Sequence, residues 1–377
     1  MPLHVLVDAT AVPADRGGVG RYVDDLLPAL ERAGVRLTVA VQERDTQATG
    51  ARLPRADVVA APAATARRPV RLAWEQTGLP RLAARVGADV LHSPHYTRPV
   101  RSPVPVTVTL HDATFFSHPE LHDPVKARFF RVATRGAVRR AQSLVVPSAA
   151  TRDEVVRFTG APADRFFVAH HGVDRDVFRP VTADEAARVA ASLGIGPEGY
   201  VAFLGTLEPR KNVPELVRGW VAAVAGTSSP PVLVLAGGRG WDEAVDPAVA
   251  AVPAGLRVLR PGYLPLEDLS GYLGGARVVA YPSLGEGFGL PVLEAMACGA
   301  AVLTTDRLSL PEVGGDAVAY CGTGADEIAP ALAALLADGA RRAELARAAV
   351  ERAALFTWDA AAQAHLRAFR AAVVQRR

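Results

Sequence analysis

Short apolar runs alternate with amphipathic helical patterns along the whole chain, and this alternation restricts the possible folds more than any other feature. Such an order is typical of parallel α/β sheets with helices on both faces. In the first half, the apolar runs predict strands at residues 4–8, 35–41, 89–93, 104–111, 144–147 and 166–169. In the second half, they predict strands at residues 200–205, 232–236, 257–259, 278–281 and 301–305. We therefore expect doubly wound α/β sheets.

The pattern weakens once, between residues 173 and 192, where the sequence becomes polar and contains proline, as in a linker. A chain of 377 residues is also too long for one hydrophobic core. We therefore predict two Rossmann-like domains in series, at residues 1–178 and 179–356. A last helix over residues 357–377, capped by Thr357, is expected to return to the N-terminal domain.

Composition and charge argue against several classes of protein. Cys298 and Cys321 are too few for a disulfide framework, which favours a reducing, cytoplasmic location. The first residues predict a strand rather than a signal peptide. No stretch approaches the ~20 apolar residues that span a membrane. A net charge of +3 is too small to indicate a nucleic-acid partner.

The segment from Pro282 to Glu294 carries the clearest chemical signal. It follows a predicted strand, crosses a glycine-rich loop and opens a helix with Pro291 near its first position. Backbone N–H groups and the helix dipole at such a position suit a phosphate. Glu286 and Glu294 bracket this loop, with seven residues between them. Because two carboxylates cannot favour a phosphate, we expect them to bind hydroxyl groups of a sugar and a ribose.

A second segment, G-T-L-E-P-R-K-N at residues 205–212, also follows a predicted strand. It places Arg210 and Lys211 at the carboxyl edge of the sheet, where ligands bind in such folds. Adjacent cations suit a diphosphate, because arginine can bind two oxygens at once and lysine acts as a point charge. A solvated basic loop is the alternative that this segment alone leaves open.

These motifs resemble those of the retaining GT-B glycosyltransferases of family four, and the resemblance runs from the first strand to Trp358. It is carried by the 205–212 run, by G-Y-L-P at residues 262–265 and by E-G-F-G-L-P-V-L-E-A-M-A-C-G at residues 286–299. The resemblance implies the GT-B architecture, in which two Rossmann-like domains face each other across a cleft. It also implies a nucleotide-diphosphate sugar as donor, a hydroxyl acceptor, and neither a cofactor nor a metal ion.

The resemblance further implies a role for each motif. Arg210 and Lys211 would stabilise the leaving diphosphate. Glu286 would bind hydroxyls of the donor sugar, and Glu294 would bind the ribose. The other donor-binding residues would be Gly18, Gly205, Gly262, Tyr263, Leu264, Gly287, Phe288, Gly289 and Leu290. Relatives often carry a bulky residue where this chain has Gly285, so the loop before Glu286 is expected to be looser here.

Two features of the N-terminal half match the same family. The glycine-rich run at residues 17–22, which includes Gly18, follows the first strand and leads into its helix, and it is expected to form a loop that faces the phosphates and the acceptor. His111 ends a predicted strand and would act near the reaction centre, facing the donor sugar; a buried structural histidine is the alternative. Ser148 also matches a family position, although a helix N-cap explains it equally well.

The stretch from Val125 to Arg140 contains six Lys or Arg residues and no acidic residue. It can pack its apolar side on the sheet and leave the charges in solvent, which we favour, or it can lie on an anionic membrane. Two histidine pairs, His92 with His95 and His118 with His122, have spacings that suit a metal. They lack cysteine or carboxylate partners beside them, so we predict no metal site.

The resemblance thus implies a retaining, metal-independent hexosyltransferase, similar to the mannosyl- and related transferases that build cell-surface polysaccharides. GDP-mannose is the favoured donor, with UDP- and dTDP-sugars as alternatives. The acceptor is left open between a lipid-linked glycan, a polysaccharide and a small molecule. A catalytically silent sugar-nucleotide-binding protein and a non-hydrolysing sugar-nucleotide epimerase are the rival functions. An oxidoreductase is disfavoured, because no G-x-G-x-x-G follows a predicted strand.

Overall fold

The structure is a computed structural model that describes residues 2–14 and 16–375. Its strands are β1 (His4–Asp8), β2 (Arg36–Val41), β3 (Asp57–Ala60), β4 (Val90–Ser93), β5 (Val106–Thr109), β6 (Ser143–Val146), β7 (Phe166–Val168), β8 (Tyr200–Leu204), β9 (Val232–Ala236), β10 (Val258–Gly262), β11 (Val278–Tyr281), β12 (Val302–Thr305) and β13 (Ala319–Cys321). Its α-helices are α1 (Gly17–Arg32), α2 (Thr46–Arg52), α3 (Arg68–Val86), α4 (Thr114–Ser117), α5 (Pro124–Arg140), α6 (Ala149–Thr159), α7 (Ala183–Ser192), α8 (Val213–Ala223), α9 (Val245–Ala250), α10 (Leu266–Gly274), α11 (Leu290–Ala297), α12 (Leu310–Gly314), α13 (Ala325–Ala337), α14 (Gly339–Ala353) and α15 (Trp358–Val374).

The chain divides into two compact units. The first unit comprises Met1–Gly172 together with Thr357–Arg377, and the second comprises Val173–Phe356. Helix α15 therefore belongs to the first unit, where it packs against α1 and against strands β4 to β7. The predicted return of the last helix to the N-terminal domain is confirmed. Thr357 caps this helix as predicted, because its hydroxyl accepts a hydrogen bond from the backbone N–H of Ala360 at 3.1 Å.

Each unit contains one parallel sheet with the strand order of a Rossmann fold. Within the described residues, the first sheet has seven strands in the order β3-β2-β1-β4-β5-β6-β7, and the second has six in the order β10-β9-β8-β11-β12-β13. The order reverses between β1 and β4 in the first sheet and between β8 and β11 in the second. Ligands bind in such folds at the carboxyl ends of the strands beside the reversal. The predicted α/β fold class is confirmed.

Both sheets are buried on both faces, as parallel sheets require. In β1, Val5 and Val7 pack into the core that α1 and α15 cover. Leu6 points to the other face and joins the core that includes Leu79 of α3. In β8, all five residues are buried, and Trp220 of α8 is fully buried in the core of the same unit.

The structure corrects three local predictions. Strands β3 and β13 were not predicted, since each is a short edge strand with only a partly buried face. The predicted linker at residues 173–192 is wrong over its second half, which forms α7. Thr182 and Glu185 begin this helix with a capping box, in which each side chain accepts the other's backbone N–H. The glycine-rich run that begins at Gly17 is the first turn of α1 rather than a loop.

The basic stretch forms α5, and its apolar side is buried as we favoured. Ala127, Phe130 and Ala137 lie in the core of the first unit, while Arg128 and Arg139 are exposed. Among the described residues, no helix is both long and apolar enough to cross a membrane.

Buried histidines connect α15 to the sheet of the first unit through a chain of hydrogen bonds. His365 Nδ1 lies 2.8 Å from the carbonyl oxygen of Ala361, which can only accept, so Nδ1 carries the proton. Tyr22 then donates its hydroxyl hydrogen to His365 Nε2 at 2.7 Å. Thr109 in turn donates to the Tyr22 oxygen at 2.8 Å, and His92 Nε2 donates to Thr109 Oγ1 at 2.9 Å. One assignment of the protons therefore satisfies all four of these hydrogen bonds.

This series of hydrogen bonds requires that the imidazoles of His365 and His92 are neutral. Burial lowers the pKa of His365 to about 4 and the pKa of His92 well below its ordinary value. Burial also lowers the pKa values of His95 and His171 in the same unit. In an unfolded chain these histidines would titrate near pH 6.5.

We predict that acid destabilises the first unit. Below about pH 6.5 the unfolded chain binds protons that the folded unit does not bind, so stability falls as pH falls, by up to about 1.4 kcal/mol per pH unit for each such histidine. The melting temperature at pH 5 should therefore lie well below that at pH 7.5.

His365→Gln should be less stable than the wild type at pH 7.5, and its melting temperature should depend less steeply on pH. His118→Gln is the matched control, since His118 is only partly buried, and its pH dependence should equal that of the wild type. An equal slope in His365→Gln and the wild type would contradict this assignment.

Candidate functional site

The carboxyl ends of β8 and β11, the neighbouring strands at the reversal of the second sheet, carry the predicted chemical residues. The segment after β8 forms a 3-10 turn, Pro209–Lys211, which presents Arg210 and Lys211. The segment after β11 presents Glu286. The two segments are joined directly, since the backbone N–H of Leu284 donates to the carbonyl oxygen of Arg210 at 2.9 Å.

Glu286 lies between the two cations and is their common partner. Its Oε1 lies 2.8 Å from Lys211 Nζ, and its Oε2 accepts a hydrogen bond from Arg210 Nη1. The three side chains are between 8% and 15% exposed, so the cluster is largely removed from solvent. Glu208 provides a second carboxylate, whose Oε1 lies 2.6 Å from Arg210 Nη2. Two cations and two carboxylates thus share one buried cluster.

Two hydroxyl groups complete the hydrogen bonds of Glu286 Oε1. Ser283 donates to it at 2.7 Å, and Tyr281 donates to it at 3.0 Å. Together with Lys211, Oε1 therefore has three donors, whereas Oε2 accepts a single hydrogen bond among the described residues. A carboxylate can accept about four hydrogen bonds, so Oε2 is the oxygen that retains capacity for a ligand hydroxyl.

The charges within the cluster determine its protonation. Burial disfavours the ionised form of Glu286, but the positive charges of Arg210 and Lys211 outweigh this effect and lower the pKa of the carboxyl to about 2. Burial, followed by repulsion from Arg210, lowers the pKa of the Lys211 ammonium. The carboxylate of Glu286 opposes that shift. Glu286 is therefore the ion that allows two cations to be buried side by side.

Hydroxyl side chains of the second unit fix the loop that carries Glu286. Thr305 Oγ1 donates to the carbonyl oxygen of Ser283 at 2.6 Å. Ser309 Oγ lies 2.8 Å from the carbonyl oxygen of Glu286 and 2.9 Å from that of Phe288. Arg210 Nη1 also donates to the carbonyl oxygen of Gly285 at 2.8 Å. These hydrogen bonds fix the loop in this structure, and the side chain of Leu308 lies beside Gly285. That the loop is looser than in relatives with a bulky residue at this position stays a prediction.

The start of α11 has the features of an anion-binding helix end. Gly289 precedes the helix with a φ of 102°, a conformation that favours glycine, and as the N-cap residue it has no side chain that could cap the helix. A Cβ atom at Gly289 would also lie 2.8 Å from Leu310 Cδ2. Pro291 lies in the first turn as predicted, and Glu294 follows one turn inside, 2% exposed.

The remaining donor-binding candidates of the second unit lie at the same edge of the sheet. Gly205 directly follows β8. A Cβ atom at Gly237 would lie only 2.2 Å from the carbonyl oxygen of Gly205, so the two backbone segments require glycine at position 237. Gly262 ends β10, and Tyr263 and Leu264 follow it. Tyr263 is 64% exposed, which is unusual for an aromatic residue.

His111 and Gly18 belong to the first unit. His111 lies two residues beyond the end of β5, and its Nε2 donates to the carbonyl oxygen of Pro94 at 2.6 Å. Burial lowers the pKa of His111, so the ring is neutral and Nδ1 is its acceptor. The ring also meets Tyr22 edge-on, with the ring centroids 4.9 Å apart. Gly18 is exposed in the first turn of α1, and Ser148 caps α6 through Thr151 at 3.0 Å.

Sequence reasoning missed four residues that hold the cluster together, namely Glu208, Tyr281, Ser283 and Ser309. Glu208 was visible within the G-T-L-E-P-R-K-N run, but its partner could not be read from spacing. Tyr281 and Ser283 flank the end of β11, so their place at the sheet edge was a usable signal.

The geometry and the comparisons with known proteins agree on the class of protein. The two Rossmann-like units have the GT-B architecture, which solved glycosyltransferases share. A model described as Glycosyltransferase Family 4 matches residues 16–177, and a model described as Glycosyl transferases group 1 matches residues 188–352. The chain belongs to the family-four glycosyltransferases.

Curated relatives cover different shares of the chain. An O-antigen chain mannosyltransferase B from Escherichia coli is 35% identical over 60% of this chain and 60% of its own length. A D-inositol 3-phosphate glycosyltransferase from Kribbella flavida is 29% identical over 95% of this chain and 91% of its own length. The chain spans between 53 and 60% of the length of the first five curated relatives that it matches.

Solved structures support the fold along the whole chain. A sucrose-phosphate synthase from Thermosynechococcus elongatus superposes with a TM-score of 0.77 at 20% identity, and 98% of each chain is covered. HepE from Anabaena, solved in complex with UDP-glucose, superposes with a TM-score of 0.75 at 18% identity and covers 96% of this chain and 97% of its own.

We predict that Glu286→Gln destabilises the second unit by about 3–5 kcal/mol, since it leaves two buried cations without their shared carboxylate. Urea denaturation at pH 7 measures this change. The folded pKa of Glu286 lies below the unfolded value, so its contribution is present above about pH 4.5 and is lost as pH falls towards 2. The difference between variant and wild type should therefore shrink in acid.

The matched control is Glu243→Gln, which removes an exposed carboxylate from the same unit. This change should alter the free energy of unfolding by no more than about 0.5 kcal/mol. Equal stability of Glu286→Gln and the wild type would show that Glu208 alone compensates the two cations.

Proposed function

We propose that this protein is a retaining glycosyltransferase that moves a hexose from a nucleotide-diphosphate sugar to a hydroxyl group of an acceptor, without a metal ion. The observation that carries the proposal is the buried cluster of Arg210, Lys211 and Glu286 at the reversal of the second sheet, in a chain of family four. The fold alone would support many functions, so the proposal rests on this cluster.

The diphosphate binds to Arg210 and Lys211, with the uncapped N-terminus of α11 beside them. Since the cluster is neutral without a ligand, the diphosphate takes the two cations over from Glu286 and Glu208. The sugar then binds through a hydroxyl to Glu286 Oε2, the oxygen with remaining capacity. Glu294 binds the ribose, and the exposed ring of Tyr263 lies beside the base.

The retaining mechanism proceeds on one face of the sugar. Glu286 Oε1 accepts hydrogen bonds from the hydroxyls of Tyr281 and Ser283, which leaves the carboxylate poorly suited to attack the sugar as a nucleophile. The leaving diphosphate takes the proton of the acceptor hydroxyl, and the protein positions the reactants and stabilises the growing charge on the phosphate. Arg210 and Lys211 supply the positive charge that a metal ion supplies in other transferases.

We favour mannose as the hexose and GDP-mannose as the donor. The relative named as an O-antigen chain mannosyltransferase supports this choice. The complex of HepE with UDP-glucose keeps UDP-sugars as the alternative donor series. Peripheral contact with an anionic membrane is part of the proposal for a lipid-linked acceptor, supported by exposed Val125, Val132 and the arginines of α5.

A thermal-shift screen of GDP, UDP, dTDP, ADP, NAD and NADP, each with and without Mg²⁺, tests the donor assignment. A ligand that binds the folded state raises the melting temperature by mass action. We expect one nucleoside diphosphate, GDP first, to raise it equally with and without Mg²⁺. A shift with NAD or NADP alone, or with no compound, would refute the proposal.

We predict that Lys211→Ala lowers kcat by about 10²–10³-fold, because the charge on the leaving phosphate grows in the transition state. Steady-state release of the nucleoside diphosphate from the donor identified above measures this change, and a melting curve confirms that the variant is folded. Arg218→Ala, which removes an exposed arginine from α8 of the same unit, is the control and should keep wild-type kcat. If only the KM for the donor rose, Lys211 would bind the ground state and this role would be wrong.

Product analysis separates the rival functions. NMR of the glycoside should show the same anomeric configuration as the donor. An altered sugar nucleotide formed without acceptor would identify an epimerase, and donor binding without any turnover would identify a silent binding protein.

A further inference from the structure

A cavity of the first unit lies at the reversal of its sheet. This cavity of about 440 Å³ is lined by residues that follow the carboxyl ends of β1, β2, β3 and β4, and by the first turns of α3 and α5. Its volume lies in the range of small-molecule sites. Both the place in the fold and the size indicate a ligand pocket.

The walls of this cavity are strongly positive. Arg44, Arg68, Arg71 and Lys126 line it, and no carboxylate does so among the described residues. The N-termini of α3 and α5, which carry the positive ends of two long helix dipoles, add to the same potential. Burial is the main cause that lowers the pKa of His95 in the cavity wall to about 3; the neighbouring His111 and the cations Arg71, Lys126 and Arg68 act in the same direction.

Arg71 is the buried member of this set. It is 8% exposed, and Nη1 makes its one side-chain hydrogen bond among the described residues, to Glu75 Oε2 at 3.2 Å. A guanidinium has five N–H donors in a fixed fork, so most of its donors are left for a ligand in the cavity. No Arg71 nitrogen is among the described buried atoms that lack a partner, so its remaining donors reach the cavity, where an anion can accept from them.

Arg68 faces the cavity without a carboxylate partner in the described part of the chain. Its guanidinium lies over the ring of Phe129, 5.0 Å from the centroid. Phe129 and Phe130 form an aromatic part of the wall, which suits the C–H face of a sugar or polyol ring, and Thr10 and Thr97 add hydroxyl groups. The cavity thus combines an anion site with a surface for a small polar ring.

We propose that this cavity binds the acceptor and selects one that carries a phosphate group on a sugar or polyol, either free or as a lipid headgroup. The role of the bound molecule as acceptor rests on the transferase function proposed above. The binding of a phosphorylated ring in this cavity does not depend on that function. Arg71 and Arg68 hold the phosphate, and the aromatic wall holds the ring. Selection follows because an unphosphorylated ring leaves the donors of Arg71 unsatisfied.

Isothermal titration calorimetry tests the binding directly, with two matched pairs of probes. Glucose 6-phosphate and myo-inositol 1-phosphate are compared with glucose and myo-inositol. At least one phosphorylated probe should bind at least about tenfold more tightly than its parent, as expected for one or two charge-assisted hydrogen bonds. Its affinity should fall as salt is raised.

Variants assign the binding to this cavity. Arg68→Ala should weaken the phosphorylated probe about tenfold, and Arg71→Lys, which keeps the charge beside Glu75 but loses the planar fork, should also weaken it. Arg81→Ala removes an exposed arginine from the same helix outside the cavity and should have no effect. Unchanged binding in both Arg68→Ala and Arg71→Lys would place the phosphate elsewhere and overturn the proposal.

Vesicles distinguish a free acceptor from a lipid headgroup. Phosphatidylcholine vesicles that contain phosphatidylinositol are compared with vesicles of equal charge that contain phosphatidylserine. Binding to phosphatidylinositol alone, weakened in Arg68→Ala, would support the pocket with a lipid as the source of the phosphate. Equal binding to both vesicles without binding of any free probe would indicate attraction to a charged surface and overturn the proposal. Absence of binding to every probe and vesicle would overturn it as well.

The donor screen separates this proposal from the proposed function. We expect a nucleoside diphosphate to bind Arg68→Ala and the wild type equally, and the phosphorylated probe to bind Arg68→Ala about tenfold more weakly than the wild type. Phosphate binding that depends on Arg68 in a protein that binds no nucleotide would refute the transferase function and leave the phosphate pocket standing.

Discussion

The buried carboxylate of Glu286 is the interaction on which the second unit depends. Arg210 and Lys211 are adjacent in sequence and both are largely buried, so without a counter-ion they would repel each other in a medium of low polarity. Glu286 bridges them across two segments that follow neighbouring strands. The hydroxyls of Tyr281 and Ser283 then fix the carboxylate, and Ser309 fixes its backbone. The sheet order matters for function because it brings these segments together at one edge.

The two sheets share a strand order but present opposite electrostatic situations at their reversals. In the second unit, two cations face two carboxylates, so a diphosphate must replace internal partners to bind. In the first unit, carboxylates contact Arg44 and Arg71 from behind the cavity, and none lines it among the described residues. An anion therefore enters the first site without displacing an internal ion pair. The cluster of the second unit is therefore suited to a diphosphate that binds and leaves in each reaction. The cavity of the first unit is suited to an anionic group that stays unchanged during the reaction.

Much of this arrangement could be predicted from the sequence, and the failures have physical causes. The strands at 4–8, 232–236 and 278–281 were placed correctly, because fully buried parallel strands are continuous apolar runs. β3 and β13 were missed because edge strands bury less and need no such run. The helix α7 was mistaken for a linker although Thr182 and Glu185 spelled its capping box. Arg210, Lys211 and Glu286 were assigned to one site, but spacing cannot reveal that the cations already hold the carboxylate. The cationic cavity was missed for the same reason, since Arg44, Arg68 and Lys126 come from three separate segments.

The hydrogen bonds of the first unit bear on the chemistry through His111. Its Nε2 proton is committed to the carbonyl oxygen of Pro94, and burial keeps the ring neutral, so Nδ1 can accept a hydrogen bond but the ring has no proton to give. The neighbouring ring of Tyr22 is itself fixed, because its hydroxyl donates to His365 of the last helix and accepts from Thr109. A histidine in this state orients a hydroxyl and does not act as a general acid. Glu286, ionised and held by three donors on one oxygen, does not supply a proton either. Under the proposed function, proton transfer then belongs to the substrates, since neither side chain has a proton to give.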